Sequence, residues 1–303
     1  MTDAVSAASA ASAAADDEAR ILDRGYRRYT GHRRGVGGAI RSVAWQGLRS
    51  VLGLGRPARA KVLPLASIVF AYLPAVAFVG IAAVLPVDLI GEDALPTYSD
   101  YYGFIISAIV LFCALAAPEV LVGDRRTGML ALYLSTPLDR PSYLAAKVIA
   151  LAVALAMVTV GPPLLLLVAY TFEGAGPEDV GDWLVLFMRI LIAGVAVTTA
   201  FASTSMAAAS LTDRRAFASV GIILLLLVSA SLSGVLVDQA ELSDLWWTIN
   251  LLAMPFELAQ RIYGEPGDLP ELSTWTVVAA NLAWTLAGAA VVAWRYRRLR
   301  VTR

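Results

Sequence analysis

The sequence predicts an all-α polytopic membrane protein with six transmembrane helices, on three observations. Apolar runs of about 20 residues, the length a helix needs to cross a hydrocarbon core, recur along the chain. Only 16% of residues are charged and 58% are hydrophobic, whereas about a quarter of a soluble domain is charged. Charge is also sorted by position: formal net charge is zero, yet basic and acidic residues fall in alternate connections between the apolar runs.

Residues 1–19, an Ala/Ser tract with acidic residues, read as a disordered cytoplasmic tail. The basic residues follow this tract, and no apolar core comes directly after it, so it does not read as a secretory signal. Residues 20–61 form a strongly basic segment. In it Ile40, Val43, Ala44, Leu48, Val51 and Leu52 recur at helical spacing, with Arg41 and Arg49 off that stripe. Such a helix lies in the membrane interface, where each basic side chain near anionic lipid gains about 1 kcal/mol. No aromatic or RNA-binding signature accompanies the arginines, so membrane lipid is the expected partner and nucleic acid is not. Tyr26 to Gly31 reads as an ordered stretch.

Residues 62–303 are read as a single six-span domain. The first span is placed at Val62 to Leu85, with Pro74 as a kink, and the second at Tyr102 to Val122. The third runs from Tyr143 to Tyr170 and is broken by Gly161-Pro162-Pro163. The fourth is Trp183 to Leu211, the fifth Phe217 to Leu236 and the sixth Thr274 to Trp294.

Orientation follows from the connections. All of the 24 Lys and Arg except Arg189 and Arg261 fall on one side of this arrangement. They lie in the N-terminal segment, between the second and third spans (Arg125, Arg126, Arg140, Lys147), between the fourth and fifth (Arg214, Arg215), and after the sixth. The opposite connections hold the acids: Asp88 to Asp100, Glu173 to Asp182, and Asp238 to Glu271. Both termini are therefore expected in the cytoplasm. Lysine occurs only at Lys61 and Lys147, a bias towards arginine that reads as a GC-rich bacterial genome and hence a bacterial plasma membrane. Tyr98, Tyr101, Tyr102, Trp183, Trp246, Trp247 and Trp275 sit at the acidic-side boundaries, as an aromatic belt would.

One stretch interrupts the apolar pattern. Between Glu119 and Lys147, Asp124, Arg125 and Arg126 would each cost about 2.5–3.5 kcal/mol at the centre of a span, while a leucine returns only about half a kcal/mol. The segment must lie at the surface. Met129, Leu130, Tyr133 and Leu134 fall on one face of a short helix that ends at Ser135-Thr136-Pro137, and Asp139 or Ser142 caps the next.

This stretch, 119–147, resembles the first cytoplasmic loop of an ABC transporter permease of the type-2, six-span exporter class. The resemblance rests on Glu119, Arg125-Arg126, Gly128, Leu130, Leu134, Ser135-Thr136-Pro137-Leu138, Arg140 and Lys147. The chain departs from the pattern with Gly-Met-Leu-Ala-Leu where Gly-Thr-Leu-Glu-Leu is more usual. The resemblance implies a coupling helix seated in a groove of a separate ATP-binding subunit, with Glu119, Asp124, Arg125, Arg126, Gly128, Leu130, Leu134, Pro137, Arg140 and Lys147 as the coupling residues. It also implies two copies of that subunit, and a second permease that is another copy of this chain or a sister. The basic interfacial helix resembles the connecting helix of the same class.

The loop 237–273 is apolar in part but short and interrupted at Pro255, which suits a pair of short helices dipping into the outer leaflet. Such helices cap the outer exit in this class, making Trp246, Trp247, Pro255 and Phe256 outer-gate candidates.

No catalytic reading survives the inventory. His32 is the only histidine, so no histidine-based triad or paired-His metal site can be built. No phosphate-binding Gly-x-x-x-x-Gly-Lys-Ser/Thr loop exists, so the chain is expected to bind no cofactor and to be no enzyme itself. ATP and Mg would sit on the partner. Glu119 reads either as a latch pairing with Arg125, Arg126 or Lys147, or as a snorkelling carboxylate. Arg189 faces the bundle interior, where it could meet substrate, or reaches to Asp182. The hydroxyl-rich fourth span, with Thr198 and Ser203, is a packing surface or a pathway wall. Pro162 and Pro163 mark a hinge or irregular packing. The expected function is export of a hydrophobic or amphipathic substrate by alternating access. The alternative is a membrane assembly or signalling protein without a transport cycle.

Overall fold

The computed structural model describes residue 31 and residues 35–84, 96–177 and 179–299, the side chain of Arg59 aside. The expected tail, most of residues 20–34, Asp88, Glu92, Asp93, Glu178 and Arg300 to Arg303 lie outside the described residues. Among those described, secondary structure is entirely helical, and six helices are long and apolar enough to cross a membrane.

Helix α1 (Gly35–Val51) is the amphipathic segment. It buries Val43, Ala44, Gly47, Leu48 and Val51, and leaves Arg41, Trp45 and Arg49 exposed. The first span is α2 (Ala58–Val84) and the second α3 (Tyr101–Arg126). A six-residue helix, α4 (Met129–Leu134), follows. The third span is split into α5 (Arg140–Thr159) and α6 (Gly161–Phe172). The fourth is α7 (Val180–Ser210), and the fifth is α8 (Arg215–Gly234) with a π-turn at Val235–Gln239. A 3-10 turn (Asp244–Ile249) and α9 (Met254–Tyr263) precede the sixth span, α10 (Thr274–Arg298).

Helix α3 is the hub. It packs against α1, α2, α5, α7 and α8, and it fully buries Tyr101, Ile105, Ile109, Phe112 and Leu121. The outer shell, α2, α8 and α10, presents large apolar side chains outward, among them Phe70, Leu224, Val228 and Leu286. That is how a bundle meets lipid tails. Close crossings use small residues, as helix packing without a hydrophobic drive requires. A side chain on Gly47 would meet the Ala150 Cβ at 2.8 Å, so α1 lies tightly on α5.

Both expected irregularities have specific partners. Pro74 lies inside α2, which stays helical through it, and the buried Tyr101 hydroxyl reaches the backbone there. It donates to the Ala71 carbonyl at 2.5 Å and accepts from the Ala75 N–H at 3.2 Å. In the third span the break is one residue wide, at Val160 (φ −102°, ψ −40°). Hydrogen bonds from Val160 N–H to Ala156 and from Leu164 N–H to Val160 carry the backbone through it, so the span stays continuous. The Tyr72 hydroxyl occupies the place a Gly161 side chain would need.

The second span extends as helix beyond the predicted Val122 to Arg126. Hydropathy marks where the apolar run ends. Hydrogen bonding continues wherever the charged side chains find partners, and here they do.

Candidate functional site at the basic end of the bundle

The connections rich in arginine and lysine converge at one end of the bundle, and α3 supplies the residues that tie them together. Glu119, 13% exposed, accepts from the Ser50 hydroxyl at 2.8 Å and pairs with Arg56 at 2.7 Å and Arg215 at 2.6 Å. Ser50 lies in the last turn of α1, Arg56 in the α1–α2 connection and Arg215 at the start of α8. The sequence suggested Arg125, Arg126 or Lys147 for this carboxylate; each of those is engaged elsewhere or points outward.

One turn further along α3, Asp124 pairs with Lys147 of α5 at 2.5 Å and accepts from the Tyr143 hydroxyl at 2.9 Å. The Lys147 side chain is only 4% exposed, and its ammonium lies 5.5 Å from the ring centres of both Tyr133 and Tyr143. Lysine tolerates such burial only when paired and hydrogen-bonded, and the two aromatic faces add cation–π attraction.

Arg125 turns into the bundle. Its guanidinium donates to the carbonyls of Ala209 (3.0 Å), Ser210 (2.8 Å) and Thr212 (2.5 Å) and lies 3.4 Å from Asp213. It thus caps the C-terminal end of α7, where free carbonyls and the helix dipole favour a cation. Arg140 performs a similar task at the end of α10, donating to the carbonyls of Arg297 and Leu299. Polar contacts therefore join the basic-end termini of all six spans. A cavity of about 210 Å³ lies among them, lined in part by Gln46, Glu119, Asp124, Tyr133 and Lys147.

Helix α4 sits on this end. Gly128 starts it with φ +72°, a left-handed conformation that favours glycine. Asp139 then caps α5 in a reciprocal capping box with Ser142, and Pro141 occupies the first turn. The Ser142 hydroxyl and amide hold the Asp139 carboxyl below its ordinary range, so the cap persists until pH falls through that lowered value. On α4, Leu130 and Tyr133 pack against the core. Met129 and Leu132 face outward, and Leu132 is 64% exposed. Arg126, Thr136 and Pro137 are exposed and Leu134 is half-buried. The helical stripe in the sequence put Met129 with Leu130, Tyr133 and Leu134 and passed over Leu132; Leu130 and Tyr133 do pack inward, whereas Met129 and Leu132 are both exposed.

At the opposite, acidic end, α9 packs against α7 and α10. Pro255 lies in its first turn, and Phe256 contacts the Tyr102 and Phe201 rings at 6.0 and 5.5 Å. Trp246 is exposed and Trp247 half-buried. The Asn250 side-chain carbonyl accepts from the Leu252 and Ala253 N–H groups and fixes the entry to α9. The two arginines outside the charge pattern both serve this region. Arg189 donates to the Tyr263 carbonyl at 2.6 Å, at the C-terminal end of α9, and forms no ion pair with Asp182 among the described residues. Arg261 pairs with the buried Glu257 and donates to the carbonyls of Leu269 and Leu272. The charge pattern marks Arg261 as an exception but does not name Glu257 as its partner; their i, i+4 spacing is the available signal.

The remaining pathway candidates lie inside the subunit. Thr198 is buried, hydrogen-bonded to Thr159 at 2.7 Å, and Pro162 and Pro163 are buried. Ser203 donates to the Thr285 carbonyl across α7 and α10. These contacts bind helices to one another.

Six apolar helices, joined at one end by ion pairs and carrying a short exposed helix there, define a multi-pass membrane protein. The profile of the ABC-2 family transporter proteins matches residues 1–300, and the chain belongs to that family. It is therefore a membrane permease subunit of an ABC transporter, a kind of component that works with an ATP-binding subunit. Among curated proteins, none matches the chain.

Proposed function

We propose that this permease is the membrane half of an ATP-driven exporter that moves a hydrophobic or amphipathic substrate outward by alternating access. The basic end and both termini face the cytoplasm. Two copies of the ATP-binding subunit, which carry ATP and Mg, dock beneath a pair of permeases, either two copies of this chain or this chain with a sister. The observation that carries the reading is the placement of α4. It exposes Leu132 and Met129 outward while Tyr133 rests on the buried Lys147–Asp124 pair that joins α3 to α5. A push on α4 is thereby delivered to the second and third spans. At the other end, α9 and the turn before it cover the exit and must yield for release.

The test uses Leu132→Arg and Arg126→Glu, made separately in the assembled transporter. Both side chains are exposed and make no ion pair among the described residues, so insertion and melting temperature should stay at the wild-type level. Loss of an interface anchor worth about 1.4 kcal/mol or more lowers affinity at least tenfold. Co-purification of the ATP-binding subunit and ATP-dependent transport should fall accordingly. Wild-type assembly and transport in both variants would overturn the reading.

A further inference from the structure

The acidic end of the bundle holds a cavity of about 330 Å³ between the start of α3 and the segment running from Trp247 through α9 to Leu269. None of the described residues lining it is basic. Three carboxylates line it: Asp100, Glu257 and Asp268. Glu257 is committed to Arg261, and it also accepts from the Asp268 N–H at 2.8 Å. The other two carry unneutralised charge. Both are exposed; among the described residues Asp100 accepts only from the N–H and hydroxyl of Thr97, and Asp268 makes no ion pair.

Between these carboxylates the walls are aromatic. Trp247, Phe256 and Tyr102 all line the cavity. Tyr102 is 1% exposed, and its hydroxyl lies beside that of Tyr263. Negative charge without a counter-ion, set beside π-faces, is the recognition chemistry for an organic cation. An anion would meet two carboxylates, and a neutral apolar molecule would leave them without compensation.

We propose that this cavity is a binding site for an organic cation with an apolar or aromatic body, a quaternary or protonated amine. Asp100 and Asp268 supply the charge, and Trp247 and Phe256 the aromatic wall. The proposal depends on the exporter reading only in taking this as the outer face. There the site would hold a cationic substrate on its way out or a ligand arriving from outside. Binding to the permease alone needs no ATP-binding subunit, so failure here leaves the exporter reading standing, and failure of ATPase coupling leaves this one standing.

The experiment is calorimetric titration of the full-length permease in nanodiscs of zwitterionic lipid. The probe is benzyltrimethylammonium, with benzoate as a water-soluble aromatic anion of opposite charge. Saturable binding of the cation and none of benzoate is expected. Asp100→Asn with Asp268→Asn should weaken the cation at least about tenfold. Trp247→Leu should weaken it similarly, and Trp247→Phe much less, because the phenyl ring retains a π-face. Asn preserves the hydrogen-bonding shape at exposed positions, and an unchanged melting temperature confirms that each variant is folded. Absence of cation binding, equal binding of benzoate, or unchanged affinity in the double Asp variant would each overturn the assignment.

Discussion

Lys147 shows how one residue can be both structural and mechanical. Its ammonium is buried between two tyrosines and held by Asp124, while Tyr133, one of those tyrosines, belongs to the exposed α4. Removing one partner of a buried pair leaves an uncompensated charge, at a cost of about 3–5 kcal/mol. Lys147→Ala should therefore lower the melting temperature of the purified permease sharply. Combining it with Asp124→Asn should restore much of that loss, because the orphaned carboxylate disappears. A double variant no more stable than the single one would mean that the charges do not act as a pair. Arg125 and Arg126, adjacent in sequence, divide between the same two roles. Arg125 caps α7 from within, and Arg126 stays exposed. Reversing both together would confound folding with partner docking, so Arg126 alone is the clean probe.

At the scale of elements, the joint in the third span is fixed by its neighbours. Gly161 leaves room for the Tyr72 hydroxyl of α2, and Gly194 of α7 comes close to Val160. The interruption is thus a packed joint, with α2 on one side and α7 on the other. Gly161→Ala would drive a methyl group into the Tyr72 hydroxyl. Overpacking of this kind costs about 1–3 kcal/mol. Thermal unfolding should show that loss, and Tyr72→Phe in the same chain should recover most of it by removing the obstructing oxygen. If the second change brings no recovery, the joint is not held by that contact. The backbone around Pro74 follows the same logic in polar form, since the Tyr101 hydroxyl bonds both the Ala71 carbonyl and the Ala75 N–H.

For the whole molecule, the organising feature is that ion pairs and carbonyl caps join the basic-end termini of all six spans. Orientation of that end in the membrane is directly measurable, because the sole cysteine, Cys113, is fully buried in α3. Thr136→Cys and Leu242→Cys each introduce one exposed thiol at opposite ends of the bundle. On intact cells a membrane-impermeant maleimide should label Leu242→Cys and leave Thr136→Cys unmodified. Inverted vesicles should reverse the result. Labelling of Thr136→Cys from outside would place the basic end outside and remove the basis for ATP-driven coupling through α4.

The spans, the interruption at 119–147, the weak point at Gly161-Pro162-Pro163 and the paired short helices before the sixth span were all legible in the sequence. Each depends on transfer free energies and backbone geometry that accumulate residue by residue along the chain. The choice of ion partners was not legible. Glu119 reaches Ser50 across 69 residues and Arg215 across 96, and Arg189 serves the end of α9 rather than Asp182. Nor could the sequence say that Leu132 is the exposed knob of α4, or that Arg125 faces in and Arg126 out. Hydropathy and charge place a residue at a depth. Which side chain it meets there depends on the rotation and proximity of helices far apart in the chain, and packing alone decides that.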